Sequence, residues 1–274
     1  FVPKVGLVVR AVNHLVLRAS YGHGFRAPDL GQLYYRFANP ASFYQVIGNP
    51  NLQPETSRSY SAGAVYSRSR FRLGLNFYRN DLRDLIETLF AGTPRTVAEL
   101  EAVERQYGIP AAFNPLLGRQ LFIYQNLSRI YTRGFEVDGE ASLGRGFRVR
   151  GAYTFLDARD QVTGAPLTQR HKHQGFVGGD HFNRRWGLTT NLRGSFFSSY
   201  LLNARTGAWA FPYGVWDLYS SKSLARGTTI YGAIDNLFDS TDRKLRQPQP
   251  SFDRPDYGRT FRIGLRYSFA REKN

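Results

Sequence analysis

Thr260-Phe261-Arg262-Ile263-Gly264-Leu265-Arg266-Tyr267-Ser268-Phe269 alternates strictly. Phe261, Ile263, Leu265, Tyr267 and Phe269 fall on one face of an extended chain, and Arg262, Gly264, Arg266 and Ser268 on the other. Working back through the chain, the same period of two recurs. Phe147, Val149, Gly151, Tyr153 and Phe155 oppose Arg148, Arg150, Ala152 and Thr154. Trp186, Leu188, Thr190, Leu192 and Phe196 oppose Thr189, Asn191, Arg193 and Ser195. Phe71, Leu73, Leu75 and Phe77 oppose Arg72, Gly74, Asn76 and Tyr78, while Tyr131, Arg133, Phe135 and Val137 oppose Thr132, Glu136 and Asp138. One face is apolar with aromatics near its ends; the other is polar and often charged.

A soluble sandwich alternates too, so the connections decide. They alternate between short turns, at Asn13, Arg68 to Ser69, Gly144 to Arg145, Asn183 to Arg184 and Ala225 to Arg226, and long loops. The loops run from about Phe25 to Pro54, Phe90 to Arg119, Asp157 to Pro166, Leu201 to Phe211 and Phe238 to Tyr257. Short turns at one end and long loops at the other mark an outer-membrane β-barrel, whose averaged hydropathy hides its apolar face. The pattern predicts an all-β fold, an antiparallel transmembrane barrel sheet of about eleven strands, each roughly 9 to 15 residues long and suited to a tilted crossing. With an odd number of antiparallel strands, the first and last run the same way and cannot close a barrel. The expectation is therefore part of a larger barrel, with two edges that lipid would not tolerate unpaired. The polar face fits a wet lumen: Glu136, Asp138 and Glu140 alternate on one strand, and Arg148 and Arg150 follow across the turn at Gly144, a cross-strand charge ladder. Each arginine facing lipid at the midplane would instead cost about 2 to 4 kcal/mol. A single helix is predicted, Thr96 to Tyr107, where Thr96 and Glu99 have capping-box spacing and Leu100, Val103 and Gln106 recur at helical intervals; it reads as a lid in an outer loop.

Composition excludes much else. The 274 residues carry 37 Lys+Arg against 21 Asp+Glu, a net +16, and 41 aromatic residues, which is too many for a disordered basic tail. With no cysteine there is no disulfide framework, thiolate metal site or cysteine nucleophile. No run approaches the ~18 apolar residues of a spanning helix, and mean hydropathy is −0.42. The chain has no Met and starts at Phe1, which reads as a fragment or processed product without a secretory leader. Nucleic-acid binding is not expected, because the arginines alternate strand by strand and do not gather on one groove-sized patch. Nor is an enzyme, since Glu136, Asp138 and Glu140 have arginine neighbours that make structural pairing the cheaper explanation.

Several motifs then point to a family. Gly24-Phe25-Arg26-Ala27-Pro28, followed by Gly48-Asn49-Pro50-Asn51-Leu52-Gln53-Pro54-Glu55, resembles the paired boxes of TonB-dependent outer-membrane receptors. Arg79-Asn80-Asp81-Leu82 with Leu85-Ile86, Gln125-Asn126-Leu127 with Arg133-Gly134-Phe135-Glu136, Asp235-Asn236-Leu237-Phe238-Asp239 and the closing strand match the family's later landmarks in order. The resemblance implies that residues 1–269 are the C-terminal half of a roughly 22-stranded plugged barrel, with 270–274 a short polar tail. It also implies a place in the outer membrane of a Gram-negative bacterium and partnership with TonB and a plug domain through an N-terminal part lacking here. The implied activity is uptake of a scarce, bulky ligand, a ferric siderophore first, with cobalamin or haem as alternatives. The rival is a passive or structural barrel of smaller size. Haem receptors place a His between the two boxes; the span Asp29 to Gly48 has none, leaving Tyr34 or Tyr44 as oxygen donors in principle.

Candidate ligand contacts are Arg26, Tyr34, Tyr35, Arg36, Phe37, Phe43 and Tyr44, an aromatic and cationic cluster in the first long loop that could stack on a catecholate or corrin; packing against neighbouring loops is the alternative. His171 and His173, two apart on a predicted strand, and His181 lack the further partners metal ligation needs, so no metal site and no resident cofactor are expected. Arg243, Lys244, Arg246 and Arg254 in the last long loop suit lipopolysaccharide phosphates or an anionic ferric complex, or are solvated charge.

Overall fold

The computed structural model describes residues 1–109, 115–204, 206–224, 227–240 and 258–268, with the side chains of 127 and 128 left out. The expected last-loop cations Arg243, Lys244, Arg246 and Arg254, the closing Phe269 and the 270–274 tail lie outside the described residues.

Eleven long strands form one antiparallel sheet in chain order. They are β1 (Lys4–Val12), β2 (Leu15–Arg26), β5 (Glu55–Arg68), β6 (Phe71–Gly92), β7 (Gln120–Gly144), β8 (Phe147–Asp160), β9 (His173–Asn183), β10 (Leu188–Phe197), β13 (Tyr213–Ser223), β14 (Thr228–Asp235) and β15 (Thr260–Tyr267). Along this path each is hydrogen-bonded to its neighbours in the order given, and β1 and β15 are its two open edges among the described residues. This is a partial barrel, as the odd count requires. Four short strands sit in the long loops: β3 (Arg36–Asn39) and β4 (Tyr44–Ile47) form a hairpin, and β11 (Tyr200–Asn203) pairs with β12 (Ala208–Ala210). The expected helix is present as α2 (Val97–Tyr107), with Thr96 Oγ1 accepting from the Glu99 amide. The Glu99 carboxylate accepts from the Arg95 amide at 2.7 Å, one residue before the cap. Leu100, Val103 and Tyr107 form its buried edge, and Gln106, expected there, is exposed. A second helix, α1 (Leu30–Tyr34), corrects the expectation of a single one: Asp29 and Gln32 cap each other reciprocally across one turn.

Two strands, β6 with 22 residues and β7 with 25, outrun the expected lengths. At about 3.3 Å per residue, the 22 residues of β6 run roughly 70 Å, well past a tilted crossing of a ~30 Å hydrocarbon layer. The surplus stands above the barrel rim. There β4 adds to β7 in parallel, Tyr44 to Ile47 against Gln120 to Ile123, and α2 closes over Ile47, Leu121 and Ile123, all fully buried. The molecule's only apolar core cluster among the described residues is thus in its loops, because the barrel's apolar face points outward.

That outward face follows the register. Leu17, Ala64, Leu75, Val137 and Tyr153 lie opposite one another on β2, β5, β6, β7 and β8. It is exposed: Leu7 is 61%, Phe77 53%, Val177 52% and Ile263 86% accessible. No helix among the described residues is long and apolar enough to cross a membrane; a barrel sheet crosses with its strands. On the lumen side, Glu140 lies directly between Arg72 on β6 and Arg150 on β8. The ladder's ion pairs differ from the expected ones. Asp138 holds Arg72, and Arg150 reaches Asp180 on β9 at 3.5 Å, the carboxylate opposite Arg148. Reading one hairpin supplied one neighbour per strand, whereas a sheet supplies two, and diagonal contacts on both sides compete.

Candidate functional site

The two sequence boxes meet at the top of the wall. Arg26, at the end of β2, lies opposite Glu55, the first residue of β5, and their side chains pair at 3.0 Å. Glu55 also accepts from the Ile86 amide at 2.9 Å, and Arg26 donates to Gln32 Oε1 at 3.3 Å. At Gly24 a Cβ would lie 2.3 Å from Ser57 Oγ, so a larger residue there would turn the serine hydroxyl aside. Arg26, which the sequence also offers as a ligand contact, thus ties the two boxes together.

The segment from Asn49 to Gln53 crosses β6 to reach β7, and polar side chains hold it there. Asn49 is 4% accessible; it donates to the Tyr124 carbonyl at 3.2 Å and accepts from the Asn51 amide at 2.9 Å. Asn51 donates to the Gly108 carbonyl just past α2, at 3.2 Å. Asn126 exchanges hydrogen bonds with the Gln53 backbone, both at 2.8 Å, and donates to the Asp84 carbonyl at 2.6 Å. Gln45, 3% accessible, does the same for Leu116. Pro50 and Pro54 bound the segment without needing donors, and Leu52 is buried beneath it. Buried amides of this kind must be paired, and here each pairing ties a loop to the barrel wall. Loop one, α2 and the tops of β6 and β7 form one hub.

The aromatic cluster is an extended run. Tyr35 and Phe37 stack at 6.0 Å, Phe37 meets Tyr44 at 5.9 Å, Tyr44 meets Phe122 at 6.2 Å, and Phe122 meets Phe90 at 5.5 Å. By strand alternation these rings occupy the sheet face opposite the one α2 covers. Tyr34 and Phe43 are exposed beside them, Phe43 at a left-handed φ of 52° in the β3–β4 turn. Arg36 opens β3. Phe90 and Phe122 were missed as members of the run, because they flank the second long loop, far in sequence from Tyr35 to Tyr44, and only the β4–β7 pairing brings them in.

Below the hub, a cleft of about 560 Å³ on the lumen side is lined by Ser57, Ser59, Asn80, Thr132, Asp160 and Arg170 among others. Asp160 caps the turn after β8, accepting from the Val162 and Thr163 amides at 2.8 Å each. The histidines part company. His171 precedes β9 and lies 2.5 Å from the Ser198 carbonyl among Phe197, Tyr200 and Tyr213. His173 opens β9 and bonds Tyr153 at 2.7 Å, and His181 stacks on Phe147 at 4.0 Å. No group of metal-ligating side chains occurs among the described residues. At the other landmark, Asn236 adopts φ 53° and closes a turn: its amide donates to Asp217 at 2.9 Å and its side chain brackets Ser240. Leu237 donates to the Trp216 carbonyl, and Phe238 packs edge-on to Trp216.

Comparison with known proteins follows this geometry. The family model for the TonB dependent receptor-like β-barrel matches residues 1–237. Among solved structures, an enterobactin-bound variant of the ferric enterobactin receptor PfeA from Pseudomonas aeruginosa superposes with TM-score 0.73 at 18% identity, over 98% of this chain and 40% of that one. The siderophore receptor PirA from Acinetobacter baumannii gives 0.71 at 17%, over 98% and 41%. The copper transporter OprC gives 0.71 at 16%, over 97% and 39%. At such identities the likeness is one of fold, and the chain spans about two fifths of the length of each.

Proposed function

The chain belongs to the TonB-dependent receptor β-barrel family, and from that premise we propose that it forms wall and extracellular loops of an outer-membrane receptor for a ferric siderophore. Receptors of this family are transporters, and no chemical step is asked of these residues: the loops capture, and a plug moved by TonB admits the ligand. The observation that carries the reading is the run of rings from Tyr35 through Phe37 and Tyr44 to Phe122 and Phe90, with Tyr34, Arg36 and Phe43 beside it at the mouth. Flat rings with a nearby guanidinium suit an aromatic, anionic metal chelate. Two of the three structures above are named for siderophores or their receptors, which favours an iron chelate over cobalamin, haem or free copper.

The test expresses the full reading frame in a Gram-negative strain stripped of its own siderophore receptors, on iron-limited medium. Growth should return with a catecholate or other ferric siderophore. The Tyr35→Ala, Phe37→Ala double variant should raise the siderophore concentration needed about thirtyfold, since ring anchors of this kind contribute on the order of 1 kcal/mol each. Growth restored by no siderophore, with uptake of copper, cobalamin or haem instead, overturns the proposal.

A further inference from the structure

The outward wall changes character along a sharp line. Counting rungs upward from the short turns, Leu17, Ala64, Leu75, Val137 and Tyr153 form one apolar row, and Ala19, Ala62, Phe77, Phe135 and Phe155 the next. The following row is Tyr21, Tyr60, Arg79, Arg133 and Asp157; then come His23, Arg58, Asp81, Tyr131 and Arg159; then Arg83 and Arg129. All of these point to the same side as the apolar rows, because the register runs unbroken from one to the next. Within three rungs the wall passes from bare hydrocarbon to six guanidinium groups, Arg58, Arg79, Arg83, Arg129, Arg133 and Arg159, against two carboxylates.

Those carboxylates are already engaged. Asp157 is held by Arg133 at 3.1 Å and Arg159 at 2.8 Å, and Asp81 by Arg79 at 2.8 Å. Tyr131 lies under Arg79 and Arg133, at 5.7 and 5.2 Å, which holds both guanidinium planes against the wall. Arg58, Arg83 and Arg129 are exposed and form no ion pair among the described residues. With His23, Arg79 and Asp81 they border a cleft of about 650 Å³.

An arginine on a lipid-facing wall costs roughly 2 to 4 kcal/mol at the midplane and about 0 to 1 at the interface, so this line marks where hydrocarbon ends and headgroups begin. It lies at the end of the long loops, the outer leaflet of a barrel of this kind. We propose that this rim binds the phosphates of a phosphorylated, multiply acylated sugar lipid, the lipid A portion of lipopolysaccharide. Such an amphiphile fits both halves of the surface, with acyl chains against Phe77, Phe135 and Phe155 and phosphate monoesters in bidentate contact with the arginines above, and its several phosphates match a rim several arginines wide. A soluble phosphate would use the arginines only. The site faces away from the lumen, so it rests on the membrane placement of the barrel and is independent of which ligand the loops capture.

The experiment uses the protein from its full reading frame, purified in neutral detergent, and measures binding of bisphosphorylated lipid A, dephosphorylated lipid A and inorganic phosphate. The bisphosphorylated form should bind at least about tenfold more tightly than the dephosphorylated one, as expected for charge-assisted contacts. Inorganic phosphate at millimolar concentration should not displace it. Arg58→Gln, Arg79→Gln and Arg133→Gln together should remove the preference, and Arg18→Gln, a charge on the lumen side of β2, should leave it intact. Equal affinity for the two lipids, displacement by inorganic phosphate, or a preference that survives the triple variant each overturns the proposal. Should the triple variant misfold, the wild-type comparison of the two lipids and Arg58→Gln alone, which breaks no ion pair, still decide it.

Discussion

Gly134 sits in the Arg-Gly-Phe-Glu motif of β7, where a Cβ would stand 1.9 Å from the Phe155 carbonyl oxygen and 2.9 Å from the Tyr78 hydroxyl. Nothing in the spacing of the sequence distinguishes it from Gly139, whose Cβ would find 3.4 Å to its nearest neighbour; only the packing of β6 and β8 does. Gly134→Ala should therefore force β7 and β8 apart and destabilise the barrel by about 1 to 3 kcal/mol, whereas Gly139→Ala should be near neutral. Heat-modifiable mobility on a gel compares the two, and equal loss in both would refute the crowding argument. The charge ladder teaches the same point at neighbouring residues. Its members were legible from alternation, but their partners were not, because Asp138 chooses Arg72 and Arg150 chooses Asp180 only once β6 and β9 flank the hairpin.

At the scale of elements, α2 was legible because its signals are local: a threonine cap, a glutamate three residues on, and Gly108 in the left-handed conformation at its end, φ 66°. Its place as a lid was expected as well, but its seat was not legible, because that seat is made by β4 lying parallel to β7 across about 75 residues of chain. Leu100 anchors it. Leu100→Ala should cost the lid about 2 to 4 kcal/mol of local stability without touching the membrane strands. Limited proteolysis should then cut within 93–119 while the barrel keeps its heat-modifiable band; unchanged protease resistance would show that the polar ties from Asn51 and Gln125 suffice. Asn49, Asn51 and Asn126 stand out in the sequence only as members of the family motifs, and the fold makes them the ties that bind loop one to the wall.

For the whole molecule, the open edges dominate. Every residue of β1 is exposed, and β15 has a single neighbour, β14. Produced alone, residues 1–274 should aggregate or stay protease-sensitive in detergent, since an unpaired strand edge leaves backbone groups that lipid cannot satisfy; a protease-resistant, heat-modifiable band would mean that the sheet closes on itself or on a second copy. Alternation and loop lengths by themselves determined the eleven-strand antiparallel sheet, its outward and lumen faces and its incompleteness, because a period of two and the length of a connection are properties of the chain; the ordered motifs from Gly24 to Asp239 carried the family resemblance. Tertiary structure alone decided the hub over the barrel mouth, the partners of each lumen charge and the arginine rim above Phe77, Phe135 and Phe155. Each of those depends on which strands lie side by side and at what register. That choice is made by backbone pairing between segments far apart in sequence, which no local pattern specifies.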